Sequence, residues 1–317
     1  MVKVGLLLHP ERGIDAVFEE AKLADQQGYD SIWLGDHIMG HGASGPDLPL
    51  DSFTLMTALG AVTTRTRLAW SMLNVSFRYP AMLAKVLGTL DQITKGRVIC
   101  TLGSGSAPAE YKAYDIPLVE DHDGRVAYAR EVVMLLKELW THPAPETVSF
   151  KGQHVQTYDL AFAPAPYQKP HPPIWLGGES DATVAMVKEL ADGWVLLTRG
   201  ATERLAQVQA QPDWPKRPMT VVRMIRMFVD ENRDAAIADA QASFKANPIG
   251  LGGAAATFEE FATREIVGTP DDCMARIAEL EASGATYLRL AFDNLLQQER
   301  VARLILPRLA EEPVPAG

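Results

Sequence analysis

The sequence predicts an α/β protein that folds as a single (β/α)8 TIM barrel. Short apolar runs alternate with longer amphipathic stretches from one end of the chain to the other, and eight such pairs can be counted. Uninterrupted alternation of this kind implies a parallel sheet with right-handed crossovers, and eight units imply a closed barrel. Runs such as IWL and WVLL are apolar throughout, which fits a sheet that is buried on both faces.

The eight predicted strands are short and rich in apolar residues. They cover residues 2–8, 31–35, 68–75, 98–102, 174–176, 193–198, 220–229 and 286–292. An open dinucleotide-binding sheet would carry G-x-G-x-x-G after its first strand. Here the first strand ends in Leu8-His9-Pro10-Glu11, so the barrel is favoured over that architecture.

Amphipathic stretches predict the helices. They cover residues 14–27, 52–63, 80–94, 124–140, 181–191, 201–209, 233–245, 270–283 and 297–309. Gly28 would end the first helix, Pro80 would lie in the first turn of the third, and Asp123 would cap the helix that begins at residue 124.

Two segments and the C-terminus depart from the alternation. Residues 141–171 predict a β-hairpin insertion before strand 5, centred on Lys151-Gly152. Residues 247–263 are rich in Gly and Ala and predict a lid-like loop before the last helix–strand unit, although a disordered linker has the same composition. We expect residues 1–310 to form the barrel and residues 311–317 a frayed tail.

Composition narrows the possible partners. The chain has 317 residues and a net charge of −10, which disfavours nucleic acid but leaves room for a local phosphate site. Cys100 and Cys273 lack metal-binding or disulfide spacing, which indicates buried thiols in a reducing compartment. Neither a secretory signal nor a membrane-spanning run is visible, so a cytoplasmic protein without a membrane partner is expected.

Active sites of such barrels lie where the strands end at the C-terminal face. Strand two ends in Asp36-His37, a pair suited either to proton transfer and cofactor binding or to a structural turn. His37 and His41 have the spacing of a metal pair on a helix, but Gly35 and Gly40 disfavour a helix there, and no metal is predicted.

Three further strand ends offer binding groups. Strand three supplies Ser71, Met72 and Asn74, followed by Arg78, which would bind an anion or pair with a neighbouring carboxylate. The glycines of Gly103-Ser104-Gly105-Ser106 allow the backbone to approach a flat ring, although an ordinary tight turn has the same pattern.

Strand five runs through Leu176-Gly177-Gly178-Glu179-Ser180 directly into a helix. Its glycines precede the positive end of the helix dipole, which predicts a phosphate site. No G-x-S-x-G elbow is present, so a nucleophilic hydrolase is disfavoured.

Four stretches together resemble the luciferase-like monooxygenase superfamily over nearly the whole chain. They are residues 28–37, residues 77–80 with 90–92 and 96–98, residues 172–178, and residues 266–270. Members of this family bind FMN or the deazaflavin F420. The resemblance implies a ring over strands one to four, a phosphate end at Gly177, Gly178 and Ser180, and a non-proline cis peptide at Ser71–Met72.

The Asp36-His37 pair resembles the F420-using branch of the family. The resemblance implies that His37 is the catalytic acid/base, that Asp36 orients it or bonds the ring, and that Asn74 contacts the cofactor. The implied cofactor-binding residues are Asp36, Ser71, Met72, Asn74, Gly103, Ser104, Gly105, Ser106, Leu176, Gly177, Gly178 and Ser180.

We therefore expect an oxidoreductase that transfers a hydride between F420 and a small organic substrate. Residues 121–125 are similar to FMN-dependent sulfonate monooxygenases, which keeps open a two-component monooxygenase that uses reduced FMN, O2 and a partner flavin reductase. A non-catalytic flavin-binding barrel is a third possibility. F420-dependent sugar-phosphate dehydrogenases carry a catalytic glutamate where this chain has Ser106, which disfavours that substrate class. The resemblance also implies a homodimer.

Overall fold

A computed structural model describes residues 2–39, 50–105, 107–197, 200–246, 249–250 and 253–310. Gly40, His41 and Ser106, which the sequence analysis considered, lie outside these ranges, as do residues 247–248 and 251–252 of the predicted lid-like loop and the 311–317 tail. Among the described residues, no helix combines the length and the apolar character needed to cross a membrane.

The sheet forms a cylinder of parallel strands, as predicted. Its wall runs in the order β3-β2-β1-β14-β10-β9-β8-β5-β4. A parallel bridge between Leu68 and Val98 joins β3 to the chain entering β5 and so closes the circle. The strands are β1 Lys3–Leu7, β2 Ser31–Leu34, β3 Arg67–Trp70, β4 Leu73–Asn74, β5 Cys100–Gly103, β6 Thr147–Val148, β7 Leu160–Ala161, β8 Ile174–Gly177, β9 Gly193–Leu196, β10 Thr220–Val229, β11 Ile249–Gly250, β12 Gly253–Ala254, β13 Ile266–Gly268 and β14 Tyr287–Ala291.

The predicted third strand is divided in two. The Ser71–Met72 peptide bond is cis, at the position that the family resemblance implied. Before it, β3 pairs with β2, and after it, β4 pairs with β5. The two halves of one stretch of sequence therefore face different neighbours at the top of the barrel.

Helices surround the sheet. They are α1 Ile14–Gln27, α2 Ser52–Val62, α3 Pro80–Ile93, α4 Pro108–Ala113, α5 His122–Thr141, α6 Asp181–Leu190, α7 Ala201–Gln209, α8 Arg233–Ala246, α9 Phe258–Arg264, α10 Pro270–Ala282, α11 Leu295–Leu304 and α12 Leu306–Ala310. The prediction that Asp123 caps α5 is wrong. The helix begins earlier because the Asp121 side chain accepts a hydrogen bond from the Gly124 amide at 2.6 Å.

The two predicted irregular segments have different outcomes. The hairpin insertion is present, since β6 and β7 are antiparallel and Lys151 bridges to Gln156. The lid-like loop is shorter than predicted, because part of it is α9. Phe261 of that helix is buried against Phe228 and Phe244, so apolar packing overrides the Gly/Ala-rich composition.

The barrel has one core outside the sheet and another inside it. The outer core lies between the strands and the helices. Inside the cylinder, Trp33, Trp175 and Tyr287 pack together with ring centroids 5.2–6.2 Å apart. These rings fill the lower barrel, and the space for a ligand that the fold usually provides lies above them, at the C-terminal mouth.

At the opposite end of the barrel, Asp25 joins α1 to the chain entering β3. Its carboxylate accepts hydrogen bonds from the amides of Thr64, Arg65 and Thr66 at 2.7–2.9 Å. Burial opposes ionisation of Asp25, but these hydrogen bonds outweigh it and lower its pKa from 3.8 to about 2.

We expect Asp25→Asn to lower the free energy of unfolding at pH 7 by about 2 kcal/mol, the value of that pKa difference. Because the folded-state pKa lies below that of the unfolded chain, the contribution is complete above about pH 5 and is lost progressively as the pH falls through 4 toward 2. Urea denaturation at pH 7, 4 and 3 measures it. Asp15→Asn, at an exposed position on the same helix, is the control, and an equal loss in both variants would contradict the assignment.

Candidate functional site

A cavity of about 170 Å³ opens at the C-terminal ends of the strands and is called the mouth cavity below. It receives side chains from the strand ends that the sequence singled out and from α4, which the sequence did not predict. Its lining is Asp36, His37, Ser71, Met72, Asn74, Phe77, Gly103, Gly105, Ala107, Glu110 and Leu197.

Asp36 lies just after β2 and is 5% exposed. Arg78 donates to both carboxylate oxygens, at 2.7 and 2.8 Å. The Ser52 hydroxyl donates at 2.6 Å and the Asn74 amide at 2.9 Å. Four hydrogen bonds thus engage the carboxylate and join β2 to α2, to β4 and to the turn before α3. Of the two fates considered for Arg78, the structure shows pairing with a carboxylate.

His37 has a different partner from the one expected. Its Nδ1 lies 3.0 Å from Glu110 Oε1, and its side chain is 55% exposed. Glu110 is buried, and the amides of Ile38 and Met39 donate to the same oxygen at 3.2 and 3.4 Å. The carboxylate expected to orient His37, that of Asp36, is engaged by Arg78, Ser52 and Asn74, and the carboxylate that contacts the imidazole is Glu110.

Sequence reasoning did not find Glu110. In the sequence, α4 begins with a proline followed by Ala-Glu-Tyr. The helix has six residues, which is too short for the spacing of its apolar residues to predict a helix. Only the folded chain brings residue 110 beside residue 37.

The Met72 side chain extends over the ends of the neighbouring strands β5 and β8. A Cβ placed on Gly177 would lie 2.0 Å from Met72 Sδ, and one on Gly103 would lie 3.5 Å from Met72 Cε. The absence of a side chain at Gly177 is therefore what lets the thioether cover the end of β8. The result is a smooth apolar floor beneath the mouth cavity.

Asn74 and Gly105 form the wall beside that floor. The Asn74 carbonyl oxygen accepts from Tyr111 Oη at 2.9 Å and from the Ser76 amide at 3.1 Å. Gly105 has a φ of +86°, and a Cβ on it would lie 2.0 Å from Tyr111 Oη. Ser104 is half-buried between the two glycines.

Leu176 does not face the mouth. It is buried in the outer core against the helices, because side chains alternate along β8 and its neighbours Trp175 and Gly177 take the interior face. Its predicted contact with a cofactor is therefore not supported by its position. Gly178, with a φ of +118°, leads the chain from β8 into α6.

Ser180 caps α6 and meets the start of α5. Its hydroxyl accepts from the Thr183 amide at 3.2 Å and lies 2.8 Å from His122 Nε2. Two helix N-termini, an imidazole and a hydroxyl are thus side by side. Helix N-termini attract anions, and this group of donors is suited to phosphate. The sequence indicated Ser180 but not His122.

Glu179, next to this group, points away from it. Its Oε1 accepts from the Leu197 amide at the end of β9 at 2.5 Å. The carboxylate is therefore held toward β9 and not toward Ser180 and His122, which removes a repulsive charge from the phosphate-suited group.

Known proteins resemble this chain over most of its length. The FMNH2-dependent dimethylsulfone monooxygenase of Pseudomonas putida is 27% identical, with 92% of this chain and 86% of that protein covered. The F420-dependent glucose-6-phosphate dehydrogenase of Amycolatopsis mediterranei is 30% identical, and the match spans 62% of this chain but only 57% of that enzyme.

The crystal structure of the monooxygenase RslO1 from Streptomyces bottropensis superposes with a TM-score of 0.79. The superposition covers 97% of this chain and 100% of the RslO1 chain, with 23% sequence identity. It supports the same barrel fold. The model of the luciferase-like monooxygenase family matches residues 2–287. The chain belongs to the luciferase-like monooxygenase family, whose relatives named here are oxidoreductases.

Proposed function

We propose that this protein transfers a hydride between the deazaflavin F420 and a small organic substrate at the mouth of the barrel. The observation that carries the proposal is His37, a half-exposed imidazole fixed over the mouth cavity by the buried carboxylate of Glu110. F420 supplies the hydride chemistry when bound. The protein supplies binding, orientation and a proton.

The residues around the mouth cavity fit a flat ring with a phosphate-bearing tail. Met72 and the backbone of Gly103 and Gly105 offer a side-chain-poor surface on which a ring can lie. Ser180 and His122 at the start of α6 would hold the phosphate. Asn74 would contact the polar edge of the ring.

His37 would exchange a proton with the substrate. When a carbon bearing a hydroxyl gives up a hydride to the cofactor, the hydroxyl proton must leave, and the reverse reaction must supply it. An imidazole can both donate and accept a proton, so it can serve both directions.

A monooxygenase that uses reduced FMN is the second candidate. The relative matched over the greater length of this chain is FMNH2-dependent, and the same floor and phosphate-suited group would hold FMN. In that case a flavin reductase would supply the reduced cofactor.

Side-by-side titration with F420 and FMN separates the two candidates. We expect F420 to quench the intrinsic tryptophan fluorescence with a Kd at least tenfold below that of FMN. Ser180→Ala should weaken F420 binding severalfold, while Ser283→Ala, at a serine remote from the mouth, should not. Tight FMN binding without a response to F420 would make the monooxygenase the better proposal.

His37→Gln tests the acid/base role once a substrate has been found by following F420 absorbance. Loss of a general acid/base lowers kcat by about 10²- to 10⁴-fold, and the Kd for F420 should stay within twofold of that of the wild type. His142→Gln is a matched control, because His142 also pairs with a glutamate, Glu138, but on the exposed side of α5. Unchanged turnover in His37→Gln would refute the role.

Glu110→Ala tests the positioning of His37. It leaves an imidazole and two amides without their acceptor, so we expect a loss of about 2–4 kcal/mol in the free energy of unfolding. At temperatures where the variant is folded, kcat should fall by a larger factor than KM changes. Glu110→Gln should restore much of the lost stability and much of the lost kcat. Glu138→Ala is the control. A loss of stability with kcat intact would make Glu110 purely structural.

A further inference from the structure

Arg289 is a buried arginine in the middle of β14 that the proposed reaction does not use. It is 0% exposed. Its Nε and both terminal nitrogens are buried, and none of the residues that the structure describes accepts a hydrogen bond from them. Buried polar groups are nearly always hydrogen-bonded, and an arginine offers five donors. The guanidinium of Arg289 is therefore a candidate binding group for a ligand that accepts hydrogen bonds.

The side chain enters the barrel. Side chains alternate along a strand, and Tyr287, two residues earlier on β14, belongs to the interior cluster with Trp33 and Trp175. Arg289 therefore points to the same side, one step nearer the mouth. Its ladder partners are Gly5 on β1 and Met224 on β10.

Charges of both signs act on the Arg289 guanidinium. Glu265 is the carboxylate that attracts Arg289, but Arg226 lies near the same two groups and donates its amide to Glu265 at 2.6 Å. Arg264, the next cation, pairs with Glu260. Burial lowers the pKa of Arg289 to about 9, so the guanidinium is still charged at neutral pH. Glu265 therefore attracts the Arg289 guanidinium without hydrogen-bonding to it, and Arg226 repels it.

We propose that Arg289 binds an anionic group of the substrate, a carboxylate or a sulfonate, through its guanidinium. The inference rests on the proposed function, because it places the substrate in the same barrel mouth. In the circular strand order, β14 lies opposite β5, whose end carries Gly103 and the proposed ring surface. A substrate held by Arg289 would then lie between the guanidinium and the ring.

The cofactor is the less suitable source of this anion. Its phosphate would bind at Ser180 and His122, after β8, and two strands, β9 and β10, separate β8 from β14. A guanidinium matches the two oxygens of a carboxylate or sulfonate in bidentate geometry. Since Arg289 is fully covered in this structure, the anion would enter as the covering side chains move aside.

Matched pairs of anionic and neutral probes test the proposal by calorimetry and by the shift in Tm. Methanesulfonate and dimethyl sulfone have similar shapes and differ in charge, as do acetate and acetamide. We expect the anions to bind the wild type saturably and to bind Arg289→Met at least tenfold more weakly, with partial retention in Arg289→Lys. Arg223→Met is the control, because Arg223 pairs with Thr202 instead of lying unpaired.

Removing an unpaired buried charge should leave the Tm of Arg289→Met at or above that of the wild type. Arg289→Gln provides a second variant for the same binding assay should the methionine variant fold poorly. Equal affinity for the anions in the wild type and in the folded variants, or no saturable binding to the wild type, would overturn the proposal.

Titrating F420 and FMN into the same variants identifies the other source of the anion. A tenfold loss of cofactor affinity in Arg289→Met, without any binding of the anionic probes, would assign the guanidinium to the cofactor and overturn the proposal. Anion binding that depends on Arg289 in a protein that does not respond to F420 would support the anion site while rejecting the proposed function.

Discussion

The buried carboxylate of Asp36 holds the mouth of the barrel together. It joins the end of β2 to the start of α2 through Ser52, to β4 through the Asn74 amide, and to the entry of α3 through Arg78. Pairing with Arg78 at both oxygens compensates the cost of burying the charge, and the Arg78 guanidinium also stacks on Phe53. The positions of His37 and Asn74 follow from this junction, because one comes directly after Asp36 and the other is bound by it.

The two neighbouring residues Asp36 and His37 have separate tasks. The carboxylate is engaged by three elements and serves the scaffold, while the imidazole is turned to the cavity and held by Glu110. A carboxylate whose oxygens all accept hydrogen bonds from the surrounding scaffold, as in Asp36, is poorly suited to exchange protons. A half-exposed imidazole such as that of His37 is well suited to it. Under the proposed function, Asp36 would therefore stabilise the mouth while His37, held by Glu110 of α4, would exchange the proton.

The interior of the barrel changes character along its axis. Aromatic rings of Trp33, Trp175 and Tyr287 fill the lower part and exclude ligands. Above them lie the Met72 floor on one wall and Arg289 on the other. The apolar floor suits the flat ring of a cofactor, and the buried cation suits an anionic group on a substrate. The two proposals together require this combination.

The sequence by itself determined the barrel, its hairpin insertion and most helix limits, because these depend on local periodicity, on Gly and Pro and on chain order. It also indicated that strand ends would carry the chemistry, and the family resemblance placed the cis peptide at Ser71–Met72. It could not show that Glu110 contacts His37, that Leu176 faces away from the mouth or that α9 packs on Phe228. Nor could it show that no described residue accepts a hydrogen bond from the Arg289 guanidinium. Each of these depends on which side chains meet across strands far apart in the chain, and only the closed tertiary structure decides that.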